Sequence, residues 1–179
     1  MKKKDVKAGK GSIEVVRYVI AFDNGVSGYY TILSADGKLV DHGHVPVKRC
    51  LNYTKEEQHL SRIDVPKLRT LLSLHTANQP QVLLERPMIN NTRFKQSMSA
   101  IRAFEATIIV LEEVGLTYEV VDSKQWQRSM LPGDIASDQL KAEANKIAKA
   151  KLGEKIVEGD SALMALWAHK RVGQDKNKL

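Results

Sequence analysis

Asp23 closes an apolar run, Tyr18–Phe22, where Asn24-Gly25 turns the chain. Glu85 closes a second run, Gln81–Leu84, directly before Arg86-Pro87. Glu158 and Asp160 flank Gly159 at the start of an apolar-faced segment near the C-terminus. Each acid has an ordinary local reading. Asp23 can close an Asx-type turn, Glu85 can be a solvated strand end, and Glu158 and Asp160 can serve the positive end of a helix. Together they read differently. Carboxylates held a few ångströms apart repel one another and do not all ionise without a cation. Hard divalent ions with oxygen ligands resolve that conflict. A pair of such ions stabilises both the attacking and the leaving oxygen of a phosphodiester displacement.

The chemistry depends on elements that bring distant acids to one rim. Ile13–Phe22, Tyr29–Leu33 and Lys38–Val47 read as an antiparallel meander, with Asn24-Gly25 and Asp36-Gly37 as its turns. Lys48–Ser61 lacks clear periodicity and reads as an excursion with room for one short helix, capped by Thr54 and Glu57. Asp64 before Val65-Pro66 is an N-cap signal, and Leu68, Leu71, Leu72 and His75 follow at helical spacing. Gln81–Leu84 is a short strand. Met88–Ser97 is a polar, basic connection, and Met98, Ile101, Phe104, Ile108 and Leu111 define an amphipathic helix with Gly115 at its C-cap. Leu116–Val121 is a further strand and Ser123–Met130 a short helix. A helix from Ser137 or Asp138 runs to Leu152, and a last one covers Gly159–Ala168. The expected fold is α/β, a central mixed five-stranded sheet of meander plus parallel strands, flanked by helices. If the first and fourth strands are parallel neighbours, Asp23 and Glu85 emerge side by side. The last helix can then bring Asp160 and Glu158 to the same edge.

Composition narrows the function classes. The chain of 179 residues is long enough for one domain with a real core. Its single cysteine, Cys50, excludes an internal disulfide framework and suits a reducing compartment, so a cytoplasmic setting is expected. The histidines have no zinc spacing. No apolar stretch approaches a membrane span, and the Lys-rich start has no apolar segment behind it to make a signal peptide. The net charge of +7 is concentrated at the ends. Met1–Lys10 holds five lysines against one aspartate and His169–Leu179 four basic residues against one aspartate, whereas the stretch between is balanced. Residues 1–12 and 169–179 therefore read as basic tails around a domain at 13–168. They are either arms for a polyanion or solvated ends.

Phe22-Asp-Asn-Gly-Val-Ser-Gly28, Leu83-Leu-Glu-Arg-Pro87, Asp122-Ser-Lys-Gln-Trp126 and Glu158-Gly-Asp-Ser-Ala-Leu-Met-Ala-Leu-Trp167 occur in this order. Together they resemble the RuvC-type Holliday junction resolvases, most closely their bacteriophage branch, across about Tyr18 to Lys170. The resemblance implies an RNase H-like fold, a homodimer, and nicking of branched DNA (four-way junctions, forks, flaps) with two Mg²⁺ per site, Mn²⁺ substituting. A phage-encoded protein of this kind would act in the cytoplasm of its bacterial host. By position, Asp23 is similar to the first-strand metal ligand, Glu85 to the acid between the metal positions, and Asp160 to the acid of the last helix. Glu158 stands where phage relatives usually have a further aspartate, and Asn24 where proline is common. All four acids are thus the expected metal ligands and catalytic groups. The resemblance also implies a lysine near the site, for which Lys141 and Lys124 both qualify.

Arg86, Arg93, Lys95 and the tails are the expected phosphate contacts, with Arg86 alternatively pairing with an acid. Phe94 is a candidate wedge between bases or else a core residue. Trp126 and Trp167 read as packing residues. The helix at Met98–Leu111 can supply a dimer interface or simply intradomain core. Two other functions fit parts of the pattern. A non-catalytic branched-DNA-binding module would keep the fold and lose the chemistry. An actin-like ATP-binding protein also follows its first strand with a Gly-rich hairpin, but needs two such subdomains and a longer chain.

Overall fold

The structure, a computed structural model, describes residues 18–52, 55 and 58–174, and of 172–174 the backbone alone. The expected tail at 1–12, the 13–17 part of the first strand, the Thr54/Glu57 capping pair and residues 175–179 lie outside the described residues.

Five strands form the central sheet: β1 (Val19–Asp23), β2 (Tyr29–Leu33), β3 (Leu39–His44), β6 (Gln81–Glu85) and β7 (Tyr118–Val121). Their spatial order is β3-β2-β1-β6-β7. The β1-β2 and β2-β3 pairs are antiparallel, and β1-β6 and β6-β7 are parallel. This is the mixed sheet that the sequence predicts. Its helices are α1 (Val65–Ser73), α2 (Phe94–Glu113), α3 (Ser123–Met130), α4 (Leu140–Leu152) and α5 (Gly159–Gln174).

The middle strand β1 is covered on both faces, so Val19, Ile20, Ala21 and Phe22 are fully buried and its sequence is continuously apolar. Side chains alternate between faces. Val19 and Ala21 join Leu33, Leu83 and Val121 in a core shared with Trp126, Met130, Ala144, Ala148 and Leu163 of α3, α4 and α5. Ile20 and Phe22 join Tyr30, Ile32, Val82 and Leu84 in the opposite core, against Leu68, Leu72, Val110 and Leu111 of α1 and α2. Truncating a buried residue such as Phe22 to alanine would cost about 3–5 kcal/mol. The same alternation sets the site. Asp23 follows Ala21 by two residues and Glu85 follows Leu83 by two, so both acids point to the α5 face.

Local capping agrees with the sequence at several places. The Asp64 carboxylate accepts from the Lys67 amide at the start of α1. Gly115, one residue past the α2 C-cap Val114, has a φ of +73°, a left-handed conformation that glycine adopts without cost. Asp122 caps α3 and forms a reciprocal capping box with Gln125.

Four expectations are corrected. Lys48–Ser61 forms no helix among its described residues; it contributes to a separate antiparallel hairpin, β4 (Val47–Leu51) with β5 (His59–Ile63). β3 accordingly ends at His44, before Pro46, and does not run on to Val47. α2 begins at Phe94, within the stretch expected to be a connection, so Phe94, Lys95, Gln96 and Ser97 are its first turn. α5 continues past Ala168 to Gln174, so the basic stretch expected as a tail from His169 starts as helix. The His169 ring meets the Ala35 carbonyl at 3.1 Å, and Arg171 pairs with Glu119 at 2.9 Å.

Candidate metal centre

Asp23 ends β1, and the β1-β6 register pairs Phe22 with Leu84, which sets Asp23 beside Glu85 at the next step. The intervening turn is closed by the Gly28 amide donating to the Gly25 carbonyl at 3.1 Å. Only glycine fits at position 28, because a Cβ there would stand 1.9 Å from the Asp23 carbonyl oxygen. The turn therefore needs no Asx bond from Asp23, whose carboxyl instead meets that of Glu85. Asn24, buried next to it, accepts from the Thr107 hydroxyl at 3.0 Å and ties the turn to α2.

α5 supplies the other two acids through a bent entry. Glu158 is the residue before the helix, and its two carboxylate oxygens accept from the amides of Asp160 at 2.9 Å and Ser161 at 3.2 Å. These are first-turn donors that a helix leaves open. Gly159 lets this entry lie directly on α4: a Cβ would stand 2.4 Å from the Ala144 carbonyl carbon. Its amide donates to Asn145 Oδ1 at 2.7 Å. Asp23, Glu158 and Asp160 consequently offer oxygens that all lie within 4.8 Å of one another. Glu158 is only 3 % exposed, so this carboxylate has left solvent almost completely.

The electrostatics follow from that crowding. Burial, then the Glu158 charge, pushes the Asp23 carboxyl up, while the contact with Glu85 and the Lys141 ammonium pull it back. Burial pushes Asp160 up to about 7, with the Glu158 and Asp23 charges adding to it and Lys141 opposing. Glu85 is pushed up to about 8, first by burial and then by Asp23 and Asp160, so at neutral pH it holds a proton and donates it to Asp23. Trp126 Nε1 donates to Glu85 Oε1 at 3.3 Å and moderates the rise. An all-oxygen cluster that retains protons at neutral pH for want of positive charge is a donor set suited to a hard divalent cation.

The expected phosphate contacts separate into two groups. Arg86 and Arg93 line a cleft of about 440 Å³ together with Asp23, Asn24, Glu85, Ser123 and Gln127. Phe94, 68 % exposed, and Lys95 turn away and line a different, more apolar groove between α2 and the β4-β5 hairpin. Phe94 is therefore not a core residue. Of the two candidate lysines, Lys141 at the start of α4 acts on both Asp23 and Asp160. Lys124 sits in the first turn of α3, its amide on the Asp122 cap, and is not among the charges acting on Asp23, Glu85 or Asp160.

Two participants were not legible as such. Trp126 is buried as expected for a packing residue, yet its N–H also orients Glu85; a buried indole N–H needs an acceptor, which was the available signal. His42, on β3, receives the amides of Val157 and Glu158 on Nε2 at 3.2 and 3.3 Å. Burial holds its imidazole below the ordinary range, against the pull of the Glu158 charge. The alternation in Asp41-His-Gly-His44 sets His42 and His44 on one face, and β-pairing opposes His44 to Tyr29 and Tyr29 to Asp23.

No protein-family model and no curated protein matches the sequence. Solved structures do resemble the fold. Thermus thermophilus RuvC in complex with a Holliday junction substrate superposes with a TM-score of 0.56 at 12 % identity, covering 90 % of this chain and 97 % of that one. Thermus thermophilus RuvC alone gives 0.50 at 13 % identity, covering 89 % and 96 %. At these identities the likeness concerns the fold, which is RuvC-like and of the RNase H-like class.

Proposed function

We propose that the chain is a metal-dependent, structure-selective endodeoxyribonuclease that nicks Holliday junctions and other branched DNA. The observation that carries this reading is the convergence of Asp23, Glu158 and Asp160 within 4.8 Å, with Glu85 against Asp23, at one edge of a RuvC-like fold. Asp23, Asp160 and Glu158 would hold Mg²⁺, or Mn²⁺ in its place, and Glu85 would complete the set for a second ion. Bound there, the ions would supply Lewis acidity at the scissile phosphate and serve the attacking and leaving oxygens of an in-line hydrolysis.

The chain's own groups have distinct tasks in this reading. Glu85 keeps a proton at neutral pH that it can release when positive charge arrives. Trp126 fixes one Glu85 oxygen, and Lys141 offsets the negative charge that remains. Arg86 and Arg93, in the adjoining cleft, would pair with phosphates flanking the cut. A four-way junction presents two symmetric strands, so a homodimer with paired sites is the expected working form.

The test is gel cleavage of a four-way junction, a fork and a linear duplex with Mg²⁺ or Mn²⁺. Preferential nicking of the branched substrates is expected, abolished by Asp23→Asn with junction binding retained. Binding without nicking in the wild type would replace this reading with the non-catalytic module.

A further inference from the structure

We infer that His42 is a positioning residue for Glu158: a neutral imidazole carrying its proton on Nδ1, it clamps the entry to α5 and directs a chain of hydroxyl hydrogen bonds into the Glu158 carboxylate. This rests on the nuclease reading only for its consequence, not for its geometry. Nε2 of His42 faces two backbone amides, Val157 at 3.2 Å and Glu158 at 3.3 Å. An amide can only donate, so Nε2 must present its lone pair. The single proton of the neutral ring is then on Nδ1, which lies 2.9 Å from Thr31 Oγ1. Thr31 accepts from the ring, which leaves its own proton for Ser161 Oγ at 2.9 Å. Ser161 Oγ in turn donates to Glu158 Oε2 at 3.4 Å. Thr31 and Ser161 are both fully buried, so no water can substitute for either link.

Every donor in this chain points toward Glu158, and the direction is set by the two amides at its start. The result is unequal use of the two Glu158 oxygens. Among the described residues, Oε2 takes the Ser161 amide and the Ser161 hydroxyl, whereas Oε1 takes only the Asp160 amide. Oε1 keeps lone-pair capacity for a ligand beside Asp23 and Asp160. A helix cap alone would need none of this, because the two amide bonds already satisfy the first turn of α5. The longer glutamate, where a shorter acid is expected, is compatible with a ligand role because the Ser161 amide and hydroxyl hold Oε2, while His42 on β3 clamps the backbone at its base.

Two measurements test the assignment. In wild-type protein without metal, ¹⁵N shifts of the His42 ring are expected to show a protonated Nδ1 and an unprotonated Nε2. An Nε2–H tautomer or an imidazolium at neutral pH overturns the proposal. Second, Mn²⁺ affinity is titrated in His42→Ala and His42→Gln. Loss of a group that orients a metal ligand weakens binding about 10- to 100-fold, which is expected for His42→Ala. Glutamine can set its carbonyl oxygen near the place of Nε2, so His42→Gln should recover most of that loss. Equal affinity in His42→Ala and wild type, or no recovery in His42→Gln, overturns the positioning role. If wild type itself binds no Mn²⁺, the nuclease reading fails, and the tautomer measurement still decides whether the relay exists.

Discussion

Replacing Asp23 by asparagine should stabilise the metal-free protein while abolishing the proposed nicking. The cluster holds carboxylate oxygens within 4.8 Å. Two unit charges at that distance repel by about 3.5 kcal/mol at an effective dielectric of about 20. Because Glu85 at about 8 and Asp160 at about 7 are only partly ionised near neutrality, the relief expected at pH 8 is about 1–3 kcal/mol. For a chain of this length that corresponds to a Tm higher by about 3–10 °C. The sign with pH is fixed by the direction of the shifts. Glu85 and Asp160 bind protons more tightly folded than unfolded, so their contribution is full below about pH 4 and is lost as pH rises through about 7 and 8. Wild type and variant should therefore melt together at pH 4 in EDTA and diverge toward pH 8, the variant higher. Mn²⁺ at about 100 times its Kd should add about 2.7 kcal/mol to the wild type at pH 8, and much less to the variant. Differential scanning calorimetry across pH, with and without Mn²⁺, reads all four conditions. A variant that melts no higher than wild type at pH 8 in EDTA refutes the repulsion on which the cation site is argued.

Other changes should separate positioning from fold. Trp126→Phe removes the indole N–H from Glu85 Oε1; cleavage should fall about tenfold, and because that bond lowers the Glu85 pKa, the pH profile of cleavage should move upward. Lys141→Ala should also move the profile upward, since Lys141 pulls Asp23 and Asp160 down, whereas Lys124→Ala should leave it in place. Gly159→Ala forces a methyl against the Ala144 backbone at 2.4 Å. It should cost about 1–3 kcal/mol, read as a fall in Tm, and weaken Mn²⁺ binding as Glu158 and Asp160 shift together.

The central strands were legible because burial on two faces leaves a continuous apolar run, and the acid that ends each run stood out against it. Asp64 and Gly115 were legible because caps are local chemistry. The β4-β5 hairpin was not. Val47–Leu51 exposes most of its residues, so no period-two signal distinguishes it from a polar loop, and only the end of its partner, Ile63, enters the core. The start of α2 was missed for a related reason. Apart from Phe94 its first turn is polar, and its N-cap, Arg93, makes no side-chain cap; the capping residue is Asn90, on the 3₁₀ turn before it. At the site, the acids were readable by type and position. The His42 ring, which crosses to residues 115 and 116 positions later, was not, because no local pattern encodes a tertiary hydrogen bond.

Gly28 packs its α-carbon against the carbonyl of Asp23 so closely that no side chain fits between them. A genetic screen that scores only lost activity would therefore recover substitutions at this position as readily as at the acids themselves. Such a map, drawn without a folding assay beside it, would assign chemistry to a residue that supplies nothing but clearance.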